Sequence, residues 1–508
     1  MTSPRLPALL GVLLAAAGAL HAAERINHAG RILGPPPVVT NSILFNTPEG
    51  DAVVAAMQIF PTDNAWNEDV SQRPLLSNSA AMITQITNAL ATNRQTMRAF
   101  SEMNWVLVPD NQPPVPITFT NYPDESDPSP YPIPTNMPIE TWPVGTGSLT
   151  LTQWQADTNN LGGDRHAIIV QPVTGGLWET WQARRSNTTW FASNGAKFNV
   201  NSNNLRSNDW TSADAAGLPM FPGVVRYDEC ARGTVEHALR LVVKRTRAEH
   251  LYPATHYASV PFTTNADVPA MGQRLRLKAG FNISTNWHPF EQAVLRALKK
   301  YGALVADNGG FCSISVAPDD RFPGDAFSNI SSVAVTNLEV VQGTGATEGP
   351  RSPGKPVADA GPDVSVPFGQ PATLAGIVTW SNTPPSVLWK LYAGPGAVNF
   401  GNATNAATAA TFSAPGIYTL MLSAADGVHA VAYDAVIVTV TPLVTSAFLS
   451  GGNNVTFGWL TSSAPYFVEK TTNLLPPNWV VIQTNTGSNA MITIGPGENA
   501  AYFRLRAP

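Results

Sequence analysis

The chain has 508 residues, which sets a prior of about three domains, with 13% charged residues and a net charge of −5. Hydrophobic residues at 44% suffice for ordinary cores, so the chain as a whole is not disordered. The weak acidic balance and the lack of a basic stripe exclude a nucleic-acid surface and an anionic-membrane binder.

Arg5, the apolar run Leu9 to Leu20 and then His21-Ala22-Ala23 predict an export signal, residues 1–22, cut after Ala22 or Ala23. Leu20 or His21 three places before the cut is bulkier than such sites prefer. The run is too brief to span a bilayer. A secreted, periplasmic or cell-surface bacterial protein is expected, with no membrane span. Residues 24–345 read as a β-rich α+β main domain. Asn78 to Leu90 has the apolar spacing of a helix. Pro289 to Tyr301 is a stronger one: Pro289 opens it, Phe290, Val294 and Leu298 form a stripe, Lys299 and Lys300 close it, and Gly302 caps it. Strands are expected at Ala167–Val170, Val235–Val243, Arg274–Lys278 and Ala303–Ala306.

Gly343 to Lys355 is poor in apolar residues and reads as a linker, with the main domain ending at 345 and the linker proper at 346–355. Short alternating strands and Pro/Gly/Asn turns follow over 356–442, the spacing of a β-sandwich. Ala358-Asp359-Ala360-Gly361-Pro362-Asp363, Ser413-Ala414-Pro415-Gly416-Ile417-Tyr418 and Ala425-Asp426-Gly427 resemble PKD-type, immunoglobulin-like modules of exported bacterial enzymes. The alternating tail, 443–508, resembles a small fibronectin-III-like module. Both modules lack clusters of titratable groups, which fits spacing, adhesion or weak glycan contact.

His-Glu-x-x-His, Gly-x-Ser-x-Gly, a phosphate loop and Cys-x-x-Cys are all absent. Ordered polar segments occupy the main domain: Gly163-Asp164-Arg165-His166, Ser212-Ala213-Asp214-Ala215-Ala216-Gly217-Leu218-Pro219, Arg226-Tyr227-Asp228-Glu229, His237-Ala238-Leu239-Arg240, Pro253-Ala254-Thr255-His256-Tyr257-Ala258-Ser259, Met271-Gly272-Gln273-Arg274-Leu275-Arg276-Leu277-Lys278 and Tyr301 through Gly310. Over about Phe60 to Val341 they resemble, in order, a family of exported bacterial proteins with no established activity. The chain departs from that family near Thr92–Arg98, where a His-Pro-Asp-Phe-Gly stretch is missing. Tyr301-Gly302 to Asp307-Asn308-Gly309-Gly310 also resembles the Asp-x-Gly-Gly turn of double-psi β-barrel lytic transglycosylases, with a different spacing from the preceding Val268-Pro269-Ala270-Met271-Gly272. A double-psi β-barrel-like core is therefore one expectation for the main domain.

Cys230 and Cys312 are the only cysteines, and in an exported protein a disulfide between them is expected. Such a bond would draw the Asp228-Glu229 and Asp307-Asn308 turns together. Paired carboxylates are what glycosidic cleavage requires, one to protonate the leaving oxygen and one to act as base or nucleophile. Asp307 and Asp228 are therefore the expected working pair. Asp214 is the substitute, Glu229 shares the Asp228 turn, and His166, His237 and Arg226 are orienting groups. Asp214 and Asp307 also suit plain capping roles. Asp228 and Glu229, in a strand, would point opposite ways. His166, His237 and His256 with one carboxylate would suit a metal, although their separations match no ligand spacing. Trp142, Trp154, Trp178, Trp181, Trp190 and Trp210 fall close together and suit sugar stacking or core packing. Asp164, Arg165, Arg226, His256, Asn308, Trp190 and Trp210 are the expected sugar contacts.

The leading expectation is a secreted, monomeric glycoside hydrolase or polysaccharide lyase acting on a polysaccharide or oligosaccharide, without a required cofactor and with a metal left open. The alternatives are a non-catalytic glycan-binding or surface protein and a metal-dependent hydrolase.

Overall fold

In the computed structural model, residues 24–156, 163–258, 263–442, 444–449, 454–459, 466–485, 489–493 and 501–506 are described. The export signal expected at 1–22 and Ser259 of the Pro253–Ser259 motif lie outside them. The chain divides into two units, one of Asn27–Pro353 with Val428–Ala430, the other including Gly354–Gly427 and Val431–Pro508. No helix among the described residues is long and apolar enough to cross a membrane.

The first unit is mixed α/β and is built on a half-barrel sheet of six strands. Their order is Leu338–Val340, Arg274–Leu277, Ala303–Asn308, Leu239–Val243, Cys312–Val316, Met97–Ser101. Ala303–Asn308 runs parallel to Leu239–Val243, and Cys312–Val316 parallel to Met97–Ser101; the remaining neighbours are antiparallel. A second sheet orders Ile43–Leu44, Val106–Leu107, Ala167–Val170, Gly176–Trp181 and Asn194–Asn199. The expected strands are present, Val235–Val243 shortened to Leu239–Val243 and Ala303–Ala306 extended to Asn308.

The expected helices are Ser79–Ala89 and Pro289–Lys300. The second is closed at both ends. His288 Nδ1 accepts from the Phe290 amide and Glu291 accepts from the His288 amide, the reciprocal pattern that satisfies orphan donors of a first turn. Gly302 ends it at φ +65°, donating its amide to the Ala297 carbonyl. A Cβ there would stand 2.2 Å from the Leu275 carbonyl oxygen, so only glycine fits.

Two expectations are corrected here. Asp228 and Glu229 lie in a helix, Tyr227–Arg232, rather than a strand or open turn. Glu229 reaches back to the Arg226 amide and Gly233 closes the end at φ +76°. Six residues are too few for apolar periodicity to reveal. Cys230 and Cys312 are both free and buried, so the expected disulfide is absent. Cys230 sits on that short helix and Cys312 opens a central strand opposite Met97, each packed in the main core. Counting cysteines carries no information on that placement.

Gly343 to Lys355, read as a linker, is stitched to the first unit. Arg351 donates to the carbonyls of Gly345 and Asp63, both at 2.9 Å, and Thr344 Oγ1 donates to Glu68 at 3.0 Å.

In the second unit, strands over 357–441 form a β-sandwich. A four-stranded sheet orders Val364–Pro367, Ala432–Thr441, Gly416–Ala425 and Ser386–Ala393; a three-stranded sheet orders Ala372–Ala375, Ala407–Phe412 and Val398–Phe400. Trp389, Tyr418, Leu420, Leu374 and Val438 fill the core. The Tyr418 hydroxyl donates to the Ala414 carbonyl at 2.7 Å. The tail forms two further three-stranded sheets, one of them tied by Glu469 between Arg504 and Arg506, each at 2.7 Å.

Candidate functional site

Side chains alternate across a strand, and the central strands sort accordingly. Leu239, Leu241, Val243, Cys312, Ile314, Val316 and Met97 face the main core. Arg240 and Ser315 occupy the other face, with Arg98 paired to Ser313 and Phe100 to Ser315. Asp307 reaches that polar face through a bulge. Leu241 pairs with Val305, but Val242 pairs with Asp307, so Ala306 is an extra residue. Regular pairing would have turned Asp307 toward the core; one added residue reverses it.

Arg240 organises what gathers there. Its Nε and Nη2 donate to the two Asp214 carboxylate oxygens at 2.7 and 2.8 Å, a bidentate pair. Nη2 also reaches Asp307 Oδ2 at 3.1 Å, and Nη1 donates to Ser315 Oγ at 3.0 Å. Ser315 Oγ donates to Glu102 Oε1 at 2.7 Å, and that oxygen lies 3.8 Å from Arg240 Nη1. The Asp214 loop is held in place by its neighbours. Ser212 Oγ donates to the Leu218 carbonyl at 2.6 Å and accepts the Asp214 amide at 2.9 Å. Gly217 turns at φ +70°, where a Cβ would lie 2.1 Å from Thr255 Oγ1. His166 closes the arrangement: Nε2 meets the Ala213 carbonyl at 3.0 Å and Nδ1 lies 3.3 Å from Glu140 Oε2.

Exposure divides these groups by role. The Asp214 and Arg240 side chains are 0% and 2% exposed, whereas Asp307 and Glu102 are 24% and 22% exposed. Two carboxylates therefore reach solvent beside one buried guanidinium. Burial pushes the Glu102 carboxyl up to about 7, against the pull of Arg240. Burial and the Asp214 charge push Asp307 up to about 6, again against Arg240. Burial opposes a charged His166, but Glu140 outweighs it and raises the imidazole to about 9. Glu179, in the strand Gly176–Trp181, is buried behind the Asp214 loop, accepts the Met220 and Phe221 amides, and is pushed by burial to about 7.

The other expected carboxylates form a separate cluster. Asp228 accepts from Arg232 at 2.5 Å, while Glu229 takes Arg226 at 2.5 Å and His237 at 3.1 Å. Burial disfavours the Glu229 charge, but Arg226 and His237 hold its carboxyl down to about 2. Burial pushes Asp228 the other way, upward, against Arg226. The adjoining cavity, lined by Asn27, His28, Glu236 and His237, is about 30 Å³, room for about one or two waters and not for a sugar. Asp307 is thus brought to Asp214 and His166, not to Asp228, Glu229, His237 or Arg226.

The expected sugar contacts also divide. Trp154, Trp178 and Trp190 are buried in the core, whereas Trp142, Trp181 and Trp210 are half-buried. Arg165 is buried, donating to the Ala183 and Trp154 carbonyls, so its guanidinium holds backbone rather than ligand. Asp164 is exposed and Asn308 half-buried, the latter accepting from Thr246 at 3.2 Å. His256 meets the Ala215 carbonyl at 2.7 Å. His166, His237 and His256 have different partners, and no group of three or more His, Cys, Asp or Glu among the described residues is placed to hold a metal.

Glu102, Arg240, Glu140 and Glu179 were not recognised as site residues from sequence. For Glu102 the sole cue is the alternation Arg98, Phe100, Glu102 that runs along one edge strand and one residue past its end.

No family model and no curated protein matches the chain. Parts of it are similar to immunoglobulin-like solved structures. The PKD domain from KIAA 1837 protein is 28% identical, covering 16% of this chain and 83% of that one at a TM-score of 0.15. The D00-D0 domain of intimin is 13% identical over 30% of this chain and 86% of its own, at a TM-score of 0.16. DIP-gamma IG1+IG2 is 13% identical over 30% and 96%, at 0.13.

Proposed function

We propose that the first unit is an exported enzyme that cleaves a glycosidic bond with Glu102 and Asp307. The reading is carried by two solvent-reaching carboxylates joined to one buried arginine, Arg240. Glu102, raised to about 7, keeps its proton near neutrality and donates it to the leaving oxygen. Asp307, bonded to Arg240 and lower at about 6, is the ionised partner, acting as base or nucleophile on the opposite side of the sugar. Asp307 bonds Arg240 directly at 3.1 Å whereas Glu102 meets it at 3.8 Å and through Ser315, and that difference in contact with the cation assigns the base to Asp307 and the acid to Glu102. Asp214, His166 and Glu140 act through Arg240 and the Asp214 loop as positioning residues. Asn308 and Asp164 are the candidates for hydroxyl contacts. The sandwich modules space or anchor the enzyme outside the cell.

The test is a polysaccharide panel assayed for new reducing ends and for unsaturated products, with and without chelator. Asp307→Asn and Glu102→Gln should each lower turnover by about 10²–10⁴-fold with melting temperature nearly unchanged. Full activity in either variant would end this assignment.

A further inference from the structure

Beside the carboxylate pair, the same face carries a cationic, aromatic surface that the proposed chemistry does not use. Phe100 lies two residues before Glu102, and Phe311 four residues after Asp307. Their rings meet edge to face at 5.3 Å. The guanidinium carbon of Arg94 lies 4.3 Å from the Phe311 centroid and that of Arg98 lies 5.9 Å from it, both within the reach of a cation–π contact. Gly310 leaves the room: a Cβ there would stand 2.9 Å from Arg94 Nη1. Arg94 is exposed and Arg98 half-buried.

Neither arginine is neutralised by a carboxylate among the described residues. Arg94 donates to the Gly310 carbonyl at 3.4 Å, and Arg98 to the Met97 and Ser331 carbonyls at 2.8 and 3.4 Å and to the Thr96 hydroxyl. Elsewhere in the unit, Arg226, Arg240, Arg276 and Arg321 bind carboxylates, while Arg274 is spent on the Tyr301 and Ala65 carbonyls. Two forked cations are therefore held by one ring, with charge left over, on the face that carries Glu102 and Asp307. A guanidinium fork matches a planar carboxylate through paired hydrogen bonds. A doubly charged phosphate would fit less well, because the ionised Asp307 repels two charges more than one.

We propose that Arg94 and Arg98, supported by Phe311, form a carboxylate subsite, so that the glycan taken by this face is a uronic-acid type. This rests on the reading of Glu102 and Asp307 as the cleaving pair for its position beside the bond, but the binding itself is separately measurable. The full chain carrying Glu102→Gln is titrated calorimetrically with tetragalacturonate, tetramannuronate and the methyl ester of each, at low and high salt. At least one free acid should bind 10-fold or more tightly than its ester, with the advantage shrinking as salt rises. Arg94→Gln with Arg98→Gln should erase the advantage while melting temperature holds. Gly310→Ala, which displaces Arg94, should reduce it in part. Equal binding of acid and ester, no binding of any acid, or an acid preference that survives the double change overturns the proposal. Arginine-dependent acid binding by a wild-type protein that cleaves none of these glycans would instead remove the cleavage reading and leave the subsite standing.

Discussion

Asp214 and Arg240 show how much one buried charge depends on another. Removing one partner of a buried pair strands the other, at about 3–5 kcal/mol. Arg240→Met should accordingly lower stability by that amount, and Asp214→Leu combined with it should recover part of the loss in chemical denaturation. The proton balance at His166 has a readable sign. Its folded value, about 9, exceeds the ordinary 6.5, so its contribution is complete below pH 6.5 and is lost as pH rises through 9. Glu102, Asp307 and Glu179 are also raised, but to between about 6 and 7, so they lower stability as pH rises from their ordinary range to neutrality and add no further slope above it. A decline in melting temperature between pH 7 and 9 that disappears in Glu140→Gln would identify His166. Activity should instead follow a bell with limbs near pH 6 and 7, from an ionised Asp307 and a protonated Glu102. At the cysteines, burial pushes Cys312 up to about 12 and Cys230 well above its ordinary value. Both thiols should therefore resist labelling in the native protein, and both should label after denaturation without reductant.

The bulge at Ala306 and the cap at Gly302 lie at the two ends of one strand, Ala303–Asn308, and each fixes a direction. The bulge aims Asp307 at Arg240; Gly302 turns the chain from the Pro289–Lys300 helix into the sheet. Gly302→Ala meets both a positive φ and the Leu275 carbonyl at 2.2 Å, so it should cost about 1–3 kcal/mol or more in an equilibrium unfolding measurement. That helix was legible from its Pro, apolar stripe, lysines and glycine because all four signals are local. The Tyr227–Arg232 helix was not, since six residues are too few to show an apolar stripe. The bulge was also illegible: Ala306 is extra only relative to Leu239–Val243, a strand distant in sequence.

At the scale of the chain, the first unit continues through Pro353 because Arg351 and Thr344 bind Glu68 and the backbone near it. Glu68 itself is held below the usual carboxylate range by Arg274, Arg73 and Arg351, despite burial. A chain ending after residue 353 should melt cooperatively on its own, as few contacts should cross a true boundary. A chain ending at 345 should melt lower, having left Glu68 without Arg351. Equal melting of the two chains in calorimetry would show that Gly343 to Lys355 behaves as a plain linker.

The amino-acid sequence by itself determined four strands and the two long helices of the first unit and the sandwich over 357–441, and it singled out Asp307 and Asp214 as candidates. Those features follow from periodicity, punctuation and residue type, which act over a few neighbours. Only the tertiary structure decided which carboxylates meet. It set Asp228 and Glu229 apart as braces of a short helix, brought Glu102, just past an edge strand, to the same arginine as Asp307, more than 200 residues later in the chain, left the cysteines unjoined, and buried three of the six clustered tryptophans. The reason is physical: a charge pair depends on distance and burial, and both arise when strand order and register are chosen by the packing of the whole sheet.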